Sequence, residues 1–253
     1  MTVASGSNPR CAADYEAFVN GFTFRYVRPD DPVTRWWFRM AAWCRRTGLA
    51  FDLLNTRFPG GAQGVKAAIK PVCRIPRMST PAIGAVINHG VVGMGPDEAF
   101  VNVGVWNGFT FLSGVVSNPR KACIGVDNFC QFGGPKEQFL ARFERFKSPN
   151  HRFYDMDYKE YFETMHRGPI GFYLYDGEHS YQNQLDGLRV AERFFGPNCL
   201  VMIDDTNEPE PREATADFVR SSRNRYETIM DVRTSTNMHP TWWNGMMLLR
   251  RVG

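Results

Sequence analysis

The chain has 253 residues, of which 43% are hydrophobic and 22% charged, enough apolar material for a substantial core and too ordinary a mixture for a disordered, collagen-like or low-complexity chain. The most apolar stretch, residues 81–95, is interrupted by Asn88 and His89, short of the roughly 18 uninterrupted apolar residues that a membrane span needs. The net charge of +4 is uneven: residues 1–77 hold twelve Lys/Arg against five Asp/Glu, and the remainder is acidic.

The first residues lack the basic start and apolar run of a secretory signal, so a cytoplasmic location is expected. The six cysteines include no C-x-x-C pair and read as reduced thiols rather than a disulfide or zinc framework. A pI near 8.8 is only mildly basic, and no RNA-binding signature accompanies it, so nucleic acid is not an expected partner.

In chain order, residues 31–47 read as a helix with Trp36, Met40 and Trp43 on one face and Arg35, Arg39 and Arg46 beside them. Gly60, Gly61 and Gly64 suggest a flexible connection. Thr80-Pro81 is a helix start, a hydroxyl N-cap before proline, and that helix should run to about Val91. From Ser79 onward short apolar runs alternate with helical stretches, the pattern of an α/β sheet. Strands are predicted at 99–105, 122–127, 152–156, 171–176 and 199–204, with helices over 136–146 and 182–194. Two closing strands, 226–232 and 245–251, have no helix between them and should pair antiparallel. The expected fold is therefore a Rossmann-like α/β domain over 79–253: a mostly parallel seven-stranded sheet with a C-terminal antiparallel hairpin and helices on both faces. Residues 1–78 form an N-terminal helical extension.

The chemistry-bearing pattern begins at Asn102-Val-Gly104, where a strand runs into a turn that continues through Gly108 to Thr110. Glycines there let backbone approach a ligand at the carboxyl edge of a sheet. The next strand ends at Asp127, about twenty residues on, the spacing of a carboxylate that holds a ribose diol. Neither G-x-G-x-x-G nor a P-loop occurs, which favours a nucleoside ligand without a pyrophosphate over a nicotinamide dinucleotide.

From Ser79 to its end the chain resembles the class I S-adenosylmethionine-dependent methyltransferases, about two thirds of its length. The resemblance implies that Asn102, Gly104, Gly108 and Thr110 lie along the methionine part of the cofactor and that Asp127 holds its ribose. It also implies a polar residue beside the adenine after the third strand, for which Asp157 is preferred to Asp155. Where many members carry an acid, this chain has Asn102, which supplies an acceptor without charge.

Two further motifs, Tyr175-Asp176-Gly-Glu178-His179-Ser-Tyr181 and Met202-Ile-Asp204-Asp205-Thr-Asn207, end the next two strands. Their carboxylates should emerge side by side and repel one another unless a cation or proton intervenes. The layout is similar to that of metal-dependent small-molecule O-methyltransferases acting on catechols and macrolide sugars, and to a bacterial family with an Asp-Gly-x-His signature in which metal use varies. The resemblance implies Asp176, Asp204 and Asp205 as ligands of a divalent cation, Mg²⁺ by its oxygen preference. Because an imidazole can accept a hydroxyl proton, His179 becomes the candidate general base beside Asp176. The alternative is that Asp204 and Asp205 cap a helix and His179 is a turn residue. His89, His151 and His166 lack such neighbours, whereas His239, Trp242 and Trp243 are candidates for the acceptor site. The expected activity is methyl transfer to a hydroxyl of a small molecule, with a homodimer through the N-terminal extension as a possible assembly. A metal-free enzyme relying on His179, or a cofactor-binding module without catalysis, are the alternatives.

Overall fold

The computed structural model describes residues 9–33, 37 and 50–252. The helix expected over 31–47 falls almost wholly outside them, so its Trp36/Met40/Trp43 and Arg35/Arg39/Arg46 faces lie outside the described residues. The N-terminal part contains α1 (Pro9–Asn20), a two-residue antiparallel pair β1 (Thr23–Phe24) and β2 (Thr56–Arg57), α2 (Phe51–Asn55) and α3 (Gln63–Ile69). The glycine-rich connection is thus partly helical: Gly64 lies inside α3, and Gly61 makes the turn before it with φ +81°.

The body begins with α4 (Pro81–Gly93) and continues through β3 (Ala99–Val103), α5 (Phe109–Val115), β4 (Ala122–Val126), α6 (Lys136–Phe146) and β5 (His151–Tyr154). A short helix α7 (Tyr158–Glu160) precedes β6 (Ile170–Tyr175), α8 (Tyr181–Glu192), β7 (Phe195–Asp204), α9 (Pro209–Ser221), β8 (Arg225–Val232) and β9 (Met246–Val252). The sheet order is β5-β4-β3-β6-β7-β9-β8. The first five are parallel, and β9 runs antiparallel to both β7 and β8, as the missing crossover helix requires. Strand order reverses between β3 and β6, and such a switch point opens a crevice at the strands' carboxyl ends.

Alternation along the strands divides the core between the two faces. Phe100, Phe172, Leu174 and Met202 join a cluster with α4, α5 and α6, whereas Val101, Val103, Tyr173 and Ile203 join one with α8 and α9. The N-terminal part belongs to the first cluster: Tyr15, Phe18, Val19, Phe22, Ile69 and Val72 are all buried in it. Tyr15 stacks on His89 and donates to the Val86 carbonyl at 3.0 Å. Thr80 has the extended backbone of an N-cap, but its hydroxyl donates to the Thr241 carbonyl (2.6 Å), stitching α4 to the β8–β9 connection instead of capping its own helix. No helix among the described residues is long and apolar enough to cross a membrane.

Candidate active site

A cavity of about 400 Å³ opens at the carboxyl ends of β3, β4, β6 and β7, within the size range of small-molecule sites. Of the seven non-glycine residues with left-handed backbone among the described residues, Trp106, Phe129, Phe132, Asp205, Met238 and Trp243 line it. Backbone strain of this kind concentrates at functional sites because it must be held in place by the surrounding structure.

The turn after β3 depends on Gly104, although for a different reason than ligand approach alone. At φ +79° a Cβ would stand 1.9 Å from the Asp176 carbonyl oxygen, so the glycine is what allows the ends of β3 and β6 to meet. Gly108 (φ +97°) precedes α5, and its missing Cβ accommodates Phe139 at 2.9 Å; it does not line the cavity. Nor does Asn102, which shares the strand parity of Phe100 and is fully buried. Its amide donates to the Gly104 carbonyl at 2.8 Å and braces the turn from below, while its own carbonyl oxygen has no hydrogen-bond partner. Thr110 does reach the cavity and donates to Asp176 Oδ2 at 3.2 Å.

Asp127 stands at the end of β4 as expected. Its Oδ2 accepts the backbone N–H groups of Val105 and Trp106 (2.8 and 2.9 Å), and Oδ1 accepts that of Phe129 (2.7 Å). One carboxylate therefore fixes both loops that flank the cavity, a task the spacing argument did not foresee. A carboxylate has about four lone-pair sites and three are taken here, which leaves one for a ribose hydroxyl. Asp157 lines the cavity while accepting the Lys159 N–H at 2.8 Å, whereas Asp155 turns away to pair with Lys136.

Parallel pairing of β6 with β7 brings Asp176, His179, Asp204 and Asp205 to the same wall. His179 Nε2 lies 3.9 Å from Asp176 Oδ1 and 3.8 Å from Asp205 Oδ2, and its Nδ1 is 3.4 Å from Gln184 Oε1. Asp205 also accepts from Asn244 Nδ2 at 2.9 Å. Burial, reinforced by the Asp205 charge, pushes the Asp176 and Asp204 carboxyls well above the usual range, and the two are within hydrogen-bond reach of each other. Asp205 is also raised by burial, with the neighbouring His179 and Asn244 acting in the opposite direction. Asp204 is 4% exposed, and its Oδ1 has no hydrogen-bond partner.

The expected magnesium site is not formed by this arrangement. Oxygen donors of the right kind converge, yet among the described residues no three carboxylate, imidazole or thiol groups stand where one ion could bind them together. Burial and the crowding of like charges favour the protonated form of Asp176 and Asp204.

The three acceptor candidates separate. His239 is fully buried, bonded through Nδ1 to the Thr241 hydroxyl (2.7 Å) and through Nε2 to the Asp31 carbonyl (3.1 Å). Trp242 is buried edge-on against Phe22 and Phe24. Both hold the β8–β9 connection to the N-terminal part, and only Trp243 reaches the cavity. Arg77, Met78 and Ser79 line it too, and no sequence motif marks them. Arg77 is fixed by Asp52 at 2.5 Å and by the Cys73 carbonyl, and lies over the Phe109 ring.

Residues 101–206, from β3 to the turn after β7, match the sequence profile of a methyltransferase domain. The matched stretch is somewhat less than half of the chain, and it holds the strand ends that line the cavity. Among curated proteins no sequence matches it significantly. The fold is similar to that of cofactor-bound Rv0187 from MTB, at 11% identity and a TM-score of 0.54 over 87% of this chain and 98% of that one. It is also similar to the precorrin-6y C5,15-methyltransferase of Geobacter metallireducens GS-15, at 8% identity and 0.51 over 67% of this chain and 88% of that one. At such identities the likeness is one of fold.

Proposed function

We propose that this methyltransferase domain acts on a hydroxyl group of a small molecule, with His179 as the general base. The observation that carries this reading is the placement of His179 Nε2 on the cavity wall, between the Asp176 and Asp205 carboxyls. With Nδ1 donating to Gln184, the lone pair of Nε2 is left for a proton of the acceptor.

S-adenosylmethionine supplies, when bound, a methyl group activated by its sulfonium centre. The Gly104 turn, Asp127 and Asp157 would hold it, because they line the half of the cavity under β3, β4 and β5. An acceptor hydroxyl beside His179 gives its proton to Nε2 as its oxygen takes the methyl group and the carbon–sulfur bond breaks. The imidazolium so formed faces two carboxyls, which stabilise the charge. The remaining contribution is alignment of oxygen, methyl and sulfur by the walls of the cavity.

A second reading keeps Asp176, Asp204 and Asp205 as ligands of a divalent cation after side-chain rearrangement, favoured by the unpartnered Asp204 Oδ1. Incubation with methyl-labelled S-adenosylmethionine and a panel of phenols, sugars and alcohols, with and without chelator, tests both. Labelled product that persists in chelator supports the His179 reading, and product restored only by Mg²⁺ supports the second. Binding of S-adenosylhomocysteine without turnover on any acceptor contradicts the catalytic reading.

A further inference from the structure

The walls of the cavity are sharply unequal in charge. Asp127, Asp157, Asp176, Glu178, Asp204 and Asp205 all line it. Among the described residues lining it, Arg77 is the one Lys or Arg, and its guanidinium is already engaged by Asp52. The imbalance is greatest in the half below β6 and β7, where the acceptor would sit. Asp204 lines the cavity with 4% of its surface exposed, and its Oδ1 is an acceptor for which the protein provides no donor.

The rim has the opposite character. Met78, Phe132 and Met238 line the cavity from three separate segments while remaining 38%, 70% and 54% exposed. Trp106 and Trp243 complete an apolar mouth. Large exposed apolar side chains gathered around one opening mark a surface that a ligand covers. Glu178 stands among them, exposed, with Gln131 Nε2 3.5 Å from its carboxylate. Aromatic faces beside carboxylates attract a cation by both its charge and its contact with the rings.

We propose that the acceptor is a hydroxylated molecule with an apolar body and a protonated amine, the body covered by Met78, Phe132, Met238 and Trp243 and the amine drawn to Glu178 and the acidic wall. This rests on the methyltransferase reading and narrows its substrate class. An anionic acceptor is disfavoured by the same wall, despite the basic balance of the N-terminal third.

The test uses the full chain in chelator, first titrated with S-adenosylhomocysteine and then, loaded with it, with tyramine or with 3-(4-hydroxyphenyl)propionate. The two probes share a phenol and differ in the charge of the side chain. Tyramine is expected to bind at least about tenfold more tightly, with the gap shrinking in high salt and in Glu178→Gln. Equal affinities, the reverse order, no binding of either probe, or a gap untouched by Glu178→Gln each overturn the proposal. Failure to bind S-adenosylhomocysteine overturns the methyltransferase reading instead, so the two failures are told apart.

Discussion

Gly104→Ala probes the contact on which the geometry of the site depends. Two costs add there. Holding an alanine at φ +79° costs about 1–2 kcal/mol, since the left-handed region crowds Cβ against the backbone. The new Cβ would also stand 1.9 Å from the Asp176 carbonyl oxygen, a backbone atom that cannot rotate away, so the ends of β3 and β6 must part by about 1 Å. Gly168 supplies the control: its φ is +84°, and a Cβ there meets nothing within 4 Å. Gly168→Ala should therefore lose about 1–2 kcal/mol in urea unfolding and bind S-adenosylhomocysteine normally. Gly104→Ala should lose about 3 kcal/mol or more and bind it at least tenfold more weakly, because Asp176 and the turn move together. Matching stability and matching affinity in the two variants would refute the close-approach argument.

His179→Ala should lower kcat by roughly 10² or more while leaving affinity for S-adenosylmethionine nearly unchanged, as measured by initial rates and calorimetry; a near-wild-type rate at neutral pH returns His179 to a turn residue. The raised Asp176 and Asp204 carboxyls give a pH signature in the ligand-free protein. With folded values above the unfolded range near 4, their contribution is fully present below about pH 4 and is lost as pH rises through the raised values. Asp204→Asn should consequently raise the Tm at pH 7–8, with the advantage narrowing toward pH 4; a variant less stable at neutral pH contradicts the assignment. A chain starting at Met78 should lose cooperative unfolding, since it lacks the fully buried Val19, Ile69 and Val72, each worth about 1.5–3 kcal/mol against a total stability of about 5–15. A cooperative transition with retained ligand binding would make the N-terminal part dispensable.

Seven strands were legible because their apolar runs are short and separated by turn residues, and the helix over 136–146 was found at its observed ends. The strand ending at Asp204 starts earlier than expected, at Phe195, because Gly196, Pro197 and Asn198 continue the extended backbone through residues that ordinarily signal a turn. The positions of Asp127, Asp176, Asp204 and Asp205 at one sheet edge followed from strand ends alone. What did not follow was which neighbouring side chain reaches the cavity. Trp242 and Trp243 are adjacent and equally aromatic, yet one is buried against Phe22 and the other turns inward through a left-handed backbone. The family resemblance implies cofactor contacts for Asn102 and Gly108, whereas parity places one below the turn and Phe139 occupies the space beside the other. The contribution of Arg77, Met78 and Ser79 carries no local pattern, because it depends on how a separate part of the chain packs against α5.

The most direct test of a cofactor site under β3 and β4 is a calorimetric titration of S-adenosylhomocysteine into the wild-type protein and Asp127→Asn. The account predicts one site in the wild type and affinity reduced at least tenfold in the variant, since the proposed ribose contact and the amides of Val105, Trp106 and Phe129 would all lose their charged partner. No binding to the wild type, or equal binding to both proteins, would contradict it.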